Sequence, residues 1–131
     1  MGSEPVFLLL ADVLDIHCDE IEQYGGEPGL RDQGLLESAL AMPAAGVVGQ
    51  YLHEDIYAMA AAYLFHIVKN HPFVDGNKRT GAMVTFVFLG LNGLALTARE
   101  LAYQELVLSV AEGHSGKDEI ADFLRRNTAR R

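Results

Sequence analysis

The chain has 131 residues, half of them hydrophobic, with a single cysteine and a formal net charge of −8. That length suits one domain able to bury about two-thirds of its unfolded surface, and so high an apolar share excludes a disordered chain. The acidic balance argues against nonspecific nucleic-acid binding, which needs a basic footprint, and Cys18 alone makes neither a disulfide framework nor a cysteine metal site.

Near the start, Phe7-Leu8-Leu9-Leu10 is apolar but has no basic segment before it and no cleavage-type small residues after a long enough core, so no secretory signal is expected. No apolar run approaches the ~18 residues of a membrane span. The expectation is a cytoplasmic protein. Val6–Leu10 reads as a lead-in to a helix from Asp12 to about Tyr24, where Val13, Ile16, Glu20 and Tyr24 recur at intervals of three and four. Gly25-Gly26 ends that helix, and Pro28-Gly29 prolongs the loop. Asp32 opens a helix over Gly34–Met42, closed by Pro43 and Gly46. Arg31 and Asp32 admit two readings: surface charge and helix cap, or a gate beside a functional site or a contact to a target.

Gln50–Glu54 reads as plain connection. Asp55 caps a long helix, Ile56–Asn70, which is apolar nearly all round and therefore buried. Ala82–Leu91 has the same character and stops at Asn92-Gly93. A further helix begins at Thr97 or Ala98 and runs to Glu112, with a break expected near Tyr103. After the turn Gly113–Gly116, Asp118–Arg126 is amphipathic, with Ile120, Phe123 and Leu124 inward. Arg125–Arg131 holds four of the ten basic residues and reads as a frayed, solvated tail, with partner contact as the other reading. The pattern predicts one all-α domain over 1–131, a helical bundle with an ordered core of about 6–126.

Between the two most apolar helices lies a concentrated polar loop, His71-Pro72-Phe73-Val74-Asp75-Gly76-Asn77-Lys78-Arg79-Thr80-Gly81. Pro72 disfavours helix at His71, so the incoming helix should stop there. Phe73 is expected to anchor the loop in the core. Asp75-Gly76 is a turn signal, and Asn77 is a candidate N-cap for the next helix. Lys78 and Arg79 then fall in its first turn, where cations are unfavourable unless an anion sits among them on the free amides. A phosphate fits. A histidine suited to proton transfer and a carboxylate able to hold Mg²⁺ complete a set for phosphoryl or nucleotidyl transfer.

Other chemistries fit less well. His66 and His71 are five residues apart rather than four and no third ligand is evident, which argues against a zinc hydrolase; His66 reads as a core or rim histidine bonded to backbone. Gly76–Thr80 lacks the first glycine and the preceding strand of a P-loop, and Lys78 is not followed by Ser or Thr. The five tyrosines suit core and rim better than a nucleic-acid platform.

His71–Gly81 resembles the signature of the Fic/Doc family, H-P-F-x-[DE]-G-N-G-R-x-x-R. It is most similar to the Doc (death-on-curing) branch, where Lys replaces a glycine, as Lys78 does here. The last arginine of the Fic form falls on Ala82. Tyr24-Gly25-Gly26-Glu27-Pro28-Gly29-Leu30-Arg31-Asp32-Gln33-Gly34-Leu35-Leu36-Glu37-Ser38-Ala39-Leu40 resembles the Doc N-terminal region, so the likeness runs from about Val6 to Leu124.

The resemblance implies a toxin of a toxin–antitoxin system that passes the terminal phosphoryl of ATP to a threonine or serine of a translation factor, elongation factor Tu in this branch, and halts translation. It implies His71 as general base and Asp75 as Mg²⁺ ligand. Gly76, Asn77, Lys78, Arg79 and Thr80 would hold the nucleotide phosphates, with Phe73 as structural anchor. A Phd-type antitoxin acting in trans is the implied partner, and the family's self-inhibitory motif [ST]-x-x-x-E-[GN] is not found. The alternatives are AMP transfer to a protein hydroxyl, as in Fic enzymes, and a non-catalytic partner-binding module. Lys78 and Ala82 together disfavour the Fic nucleotide pose.

Overall fold

The computed structural model describes residues 4–131. The chain runs through α1 (Leu10–Tyr24), α2 (Gln33–Ala41), β1 (Gly46–Val47), β2 (Gln50–Tyr51), α3 (Ile56–Asn70), α4 (Asn77–Leu91), β3 (Leu94–Leu96), α5 (Glu100–Ala111), α6 (Lys117–Arg126) and β4 (Thr128–Arg130). The expected all-α bundle is present, with two small antiparallel ribbons added, β1–β2 and β3–β4.

α3 is the central element. Met59 to Leu64, Ile67 and Val68 are all buried, so that α4, α6 and α2 pack around it. Short alanines at 60, 61 and 62 let the neighbours approach closely, while Tyr63, Phe73, Phe88, Leu36, Leu64 and Ile67 fill the volume between layers. Asp55 caps α3 as expected, its carboxylate accepting the Ala58 amide at 2.8 Å. Asp32 does the same for α2, accepting from Leu35 at 2.9 Å.

Apart from one-residue shifts at the ends of α2, α5 and α6, four features differ from the sequence expectation. α1 begins at Leu10 rather than Asp12, because Asp12 sits inside the first turn and its carboxylate accepts the Leu9 amide at 2.8 Å. The stretch around Gln50 is half of a ribbon, with Val47 opposite Gln50 and Gly46 opposite Tyr51. α5 starts later than Thr97, whose amide is drawn to the Asn127 carbonyl at 2.6 Å, and it is unbroken at Tyr103. The basic tail is no frayed end: Thr128, Ala129 and Arg130 pair with Leu96, Ala95 and Leu94. No described helix is long and apolar enough to cross a membrane.

Candidate active site

The polar loop joins α3 to α4 at the end of the molecule's two best-buried helices. His71 is the residue that terminates α3. It lies in the left-handed region at φ 52°, ψ 53°, a conformation uncommon for a residue with a bulky side chain. Pro72 forbids a further helical turn, so the chain leaves the helix here with the imidazole exposed. Phe73 then drops into the core with no exposed surface, as its anchor role requires.

The side chain that receives Phe73 belongs to none of the motifs in the sequence. His17 on α1 is buried and stacks flat on the Phe73 ring, with centroids 3.8 Å apart and planes 6° from parallel. Its Nε2 lies 2.8 Å from the Asp75 carbonyl, which can only accept, so Nε2 carries the proton. His17 follows Val13 by one helical turn, and that position on the buried face of α1 was the available signal.

Asp75 is exposed, and both its oxygens are oriented by backbone: Oδ2 accepts the Glu27 amide at 3.2 Å and Oδ1 the Gly76 amide at 2.8 Å. These bonds from Glu27 and Gly76 hold the carboxyl below its ordinary pKa, so the group is an anion at neutral pH. Its neighbour across the site is Gly26, at φ +116°, where a Cβ would stand 2.7 Å from Asp75 Oδ2 and 3.2 Å from the Arg79 guanidinium. Only glycine lets the α1–α2 loop lie this close.

Gly76, not Asn77, is the N-cap of α4, with φ 78°. Asn77 is the first helical residue and is buried. Its Oδ1 accepts the Phe73 amide at 2.9 Å and its Nδ2 donates to the Phe73 carbonyl at 3.0 Å, which clamps the loop shut. The first helical bond of α4 runs from the Thr80 amide to Gly76 O, so the amides of Asn77, Lys78 and Arg79 belong to the unsatisfied first turn. Lys78 is exposed, and Arg79 donates from Nη2 to Gly25 O at 2.8 Å while lying 5.9 Å above the Tyr24 ring. Thr80 is fully buried and its hydroxyl has no partner among the described residues. Its side chain therefore does not face a phosphate at this helix start.

A Mg²⁺ ion shared with nucleotide phosphates takes only one or two protein carboxylates, and ionised Asp75 is the carboxylate this loop offers; among the described residues no group of three or more ligating side chains forms a protein-only cage. Two adjoining grooves open at Arg79. One of about 490 Å³ reaches Glu20, Tyr24 and Phe86, and one of about 230 Å³ reaches Lys78, Val107 and Leu108; Arg79, Ala82, Tyr103 and Gln104 line both. Burial raises the Glu20 carboxyl above its ordinary value, with Arg79 opposing the shift. His66 lies outside this set. It faces Lys117 Nζ at 3.3 Å rather than backbone, and burial pushes it down to about 4.

A family model described as Fic/DOC matches residues 7–89. The chain belongs to the Fic/Doc family. Toxin Doc of Mycolicibacterium smegmatis is 44% identical over 75 residues, 57% of this chain and 58% of the toxin, so that match spans just over half the length of the relative. Protein kinase doc of Escherichia phage P1 is 33% identical over 116 residues, covering 88% of this chain and 90% of the phage protein. Both relatives carry the Doc name, which agrees with the lysine at position 78. The Fic/Doc loop thus sits where the resemblance put it, between the two central helices.

Proposed function

We propose that this Fic/Doc protein is a Doc-type toxin that transfers the terminal phosphoryl of ATP to a threonine or serine hydroxyl of a translation factor, elongation factor Tu being the first target to test. The names of its relatives, a toxin and a protein kinase, support the class of activity. The observation that carries the reading is the cation pair Lys78 and Arg79 on the open first turn of α4, with His71 and ionised Asp75 in the same loop.

In this reading the γ-phosphate rests on the amides at the start of α4 and on Lys78 and Arg79, which take up charge as it develops. Asp75 would hold Mg²⁺, which when bound would neutralise charge on the nucleotide phosphates. His71, exposed at the rim, takes the proton of the incoming hydroxyl. The hydroxyl oxygen bonds to the γ-phosphorus, the bond to the β–γ bridging oxygen breaks, and ADP leaves. Asn77 serves the loop's shape through Phe73. A Phd-type antitoxin is the proposed partner, acting in trans.

Incubation with ATP, Mg²⁺ and elongation factor Tu, read by intact mass, tests the reaction. A phosphoryl increment is expected, with the rate lowered at least about a hundredfold in His71→Ala. An adenylyl increment would replace this reading with AMP transfer. An increment that survives intact in His71→Ala would remove His71 as the base.

A further inference from the structure

We infer that Arg31, from the α1–α2 loop, is a positioning residue that locks His71 in its left-handed conformation and so sets the direction of the proposed base; the catalytic part of this inference rests on the phosphotransfer reading. The last carbonyls of a helix have no partners within it and carry its partial negative charge. At the end of α3 one side chain takes up two of them, the carbonyls of Asn70 and His71. Arg31 Nε donates to His71 O at 2.7 Å and its Nη2 to Asn70 O at 3.0 Å. The planar guanidinium spans two successive carbonyls, which the single ammonium of lysine could not do in the same geometry.

Backbone from the same residues extends the brace. The amides of Arg31 and Asp32 both donate to Pro72 O, at 2.7 and 3.0 Å, and the Val74 amide donates to Gly29 O at 3.0 Å. Leu30 and Phe73 face each other in an antiparallel bridge. Residues 29–32 therefore accompany 70–74 carbonyl by carbonyl. The imidazole of His71 makes no hydrogen bond among the described residues, so what the surroundings fix is its backbone, and with it the Cα–Cβ direction and the rotamers the ring can adopt. A residue held at φ 52° stays there only if its surroundings over-determine it, and the Arg31 fork grips the carbonyl of that very residue. Asp32, next in sequence, has a different duty: its side chain caps α2.

The two roles can be separated by comparing Arg31→Ala, Arg31→Lys and Asp32→Ala. Amide hydrogen exchange, which needs no substrate, is the first readout. In Arg31→Ala the amides of His71, Phe73 and Val74 are expected to exchange at least about tenfold faster, with those of Leu64 and Phe88 unchanged. Turnover is the second. The kcat for phosphoryl transfer should fall about ten- to a hundredfold with KM for ATP held within about twofold, because misplacement of a reacting group penalises the chemical step. Arg31→Lys should fall between, and it keeps the test alive if the alanine variant does not fold. Asp32→Ala should lower the melting temperature while leaving loop exchange and kcat unchanged.

Loop exchange unaltered in both Arg31 variants would overturn the brace. Equal losses of kcat in Asp32→Ala and Arg31→Ala would overturn it too, by reducing Arg31 to a stability effect. If wild type transfers no phosphoryl while Arg31→Ala still loosens residues 71–74, the brace stands and the reaction reading fails.

Discussion

Asp75 shows how much of a site can be set by backbone. Its charge is fixed by amides of Glu27 and Gly76, one from each side of the α1–α2 and α3–α4 loops. A carboxyl lowered on folding adds stability above its unfolded pKa, near 3.9, and loses it as the pH falls through the lower folded value. Asp75→Asn should therefore melt below wild type at pH 7, and the two curves should converge as the pH falls below about 4. Scanning fluorimetry across pH checks this; a gap of constant size down to about pH 2 would mean the charge is not what stabilises the loop. At this scale the sequence was legible wherever one residue type has one local use: Pro72 as a stop, Phe73 as an anchor, Gly76 in a turn. Asn77 was not, because an amide that could cap its own helix can equally bond back to Phe73, and local sequence does not choose between them. His17 escaped because a single histidine on an apolar stripe looks like packing until the ring facing it is known.

Helix identity was legible along the chain because its signal is periodic and local, and α3 matches the expected span at both ends. The ribbons were not. β3 and β4 each have only three residues and pair across the whole of α5 and α6, so no local window contains both partners. That pairing also explains why Thr97 is extended rather than helical. Asp55 joins two elements: it caps α3 and accepts from Arg125 of α6, whose Nη2 lies 3.0 Å from Asp55 Oδ2. Loss of the cap should cost about 1 kcal/mol, and the part-exposed ion pair adds no more than a few tenths. Asp55→Ala is therefore expected to lower unfolding stability by about 1–1.5 kcal/mol in urea titration, slightly more than Asp32→Ala. A loss above about 3 kcal/mol would show that the start of α3 depends on more than its cap.

On the scale of the whole molecule, the polar loop and the C-terminal ribbon lie at opposite ends of one helix. α4 has 15 residues, about 22 Å of rise, with the loop before it and β3 just after it. The Arg131 amide bonds to Gly93 O, so the C-terminal segment present here is fastened at the far end. Nearest the loop instead are α1 and the α1–α2 loop, whose backbone at Gly25 and Glu27 orients Arg79 and Asp75 while the grooves lined by Arg79 stay open. Under the proposed reading, restraint falls to a second protein, which makes a cellular prediction. Induced alone in bacteria, the chain should arrest growth, His71→Ala should not, and a co-expressed Phd-type antitoxin should restore growth without changing the amount of toxin. The assay is growth and protein-synthesis rate after induction, with toxin levels followed by immunoblot. Soluble wild-type protein that neither arrests growth nor phosphorylates its target in vitro, but does both once the α1–α2 loop lying against Asp75 is altered, would place the restraint within the chain itself.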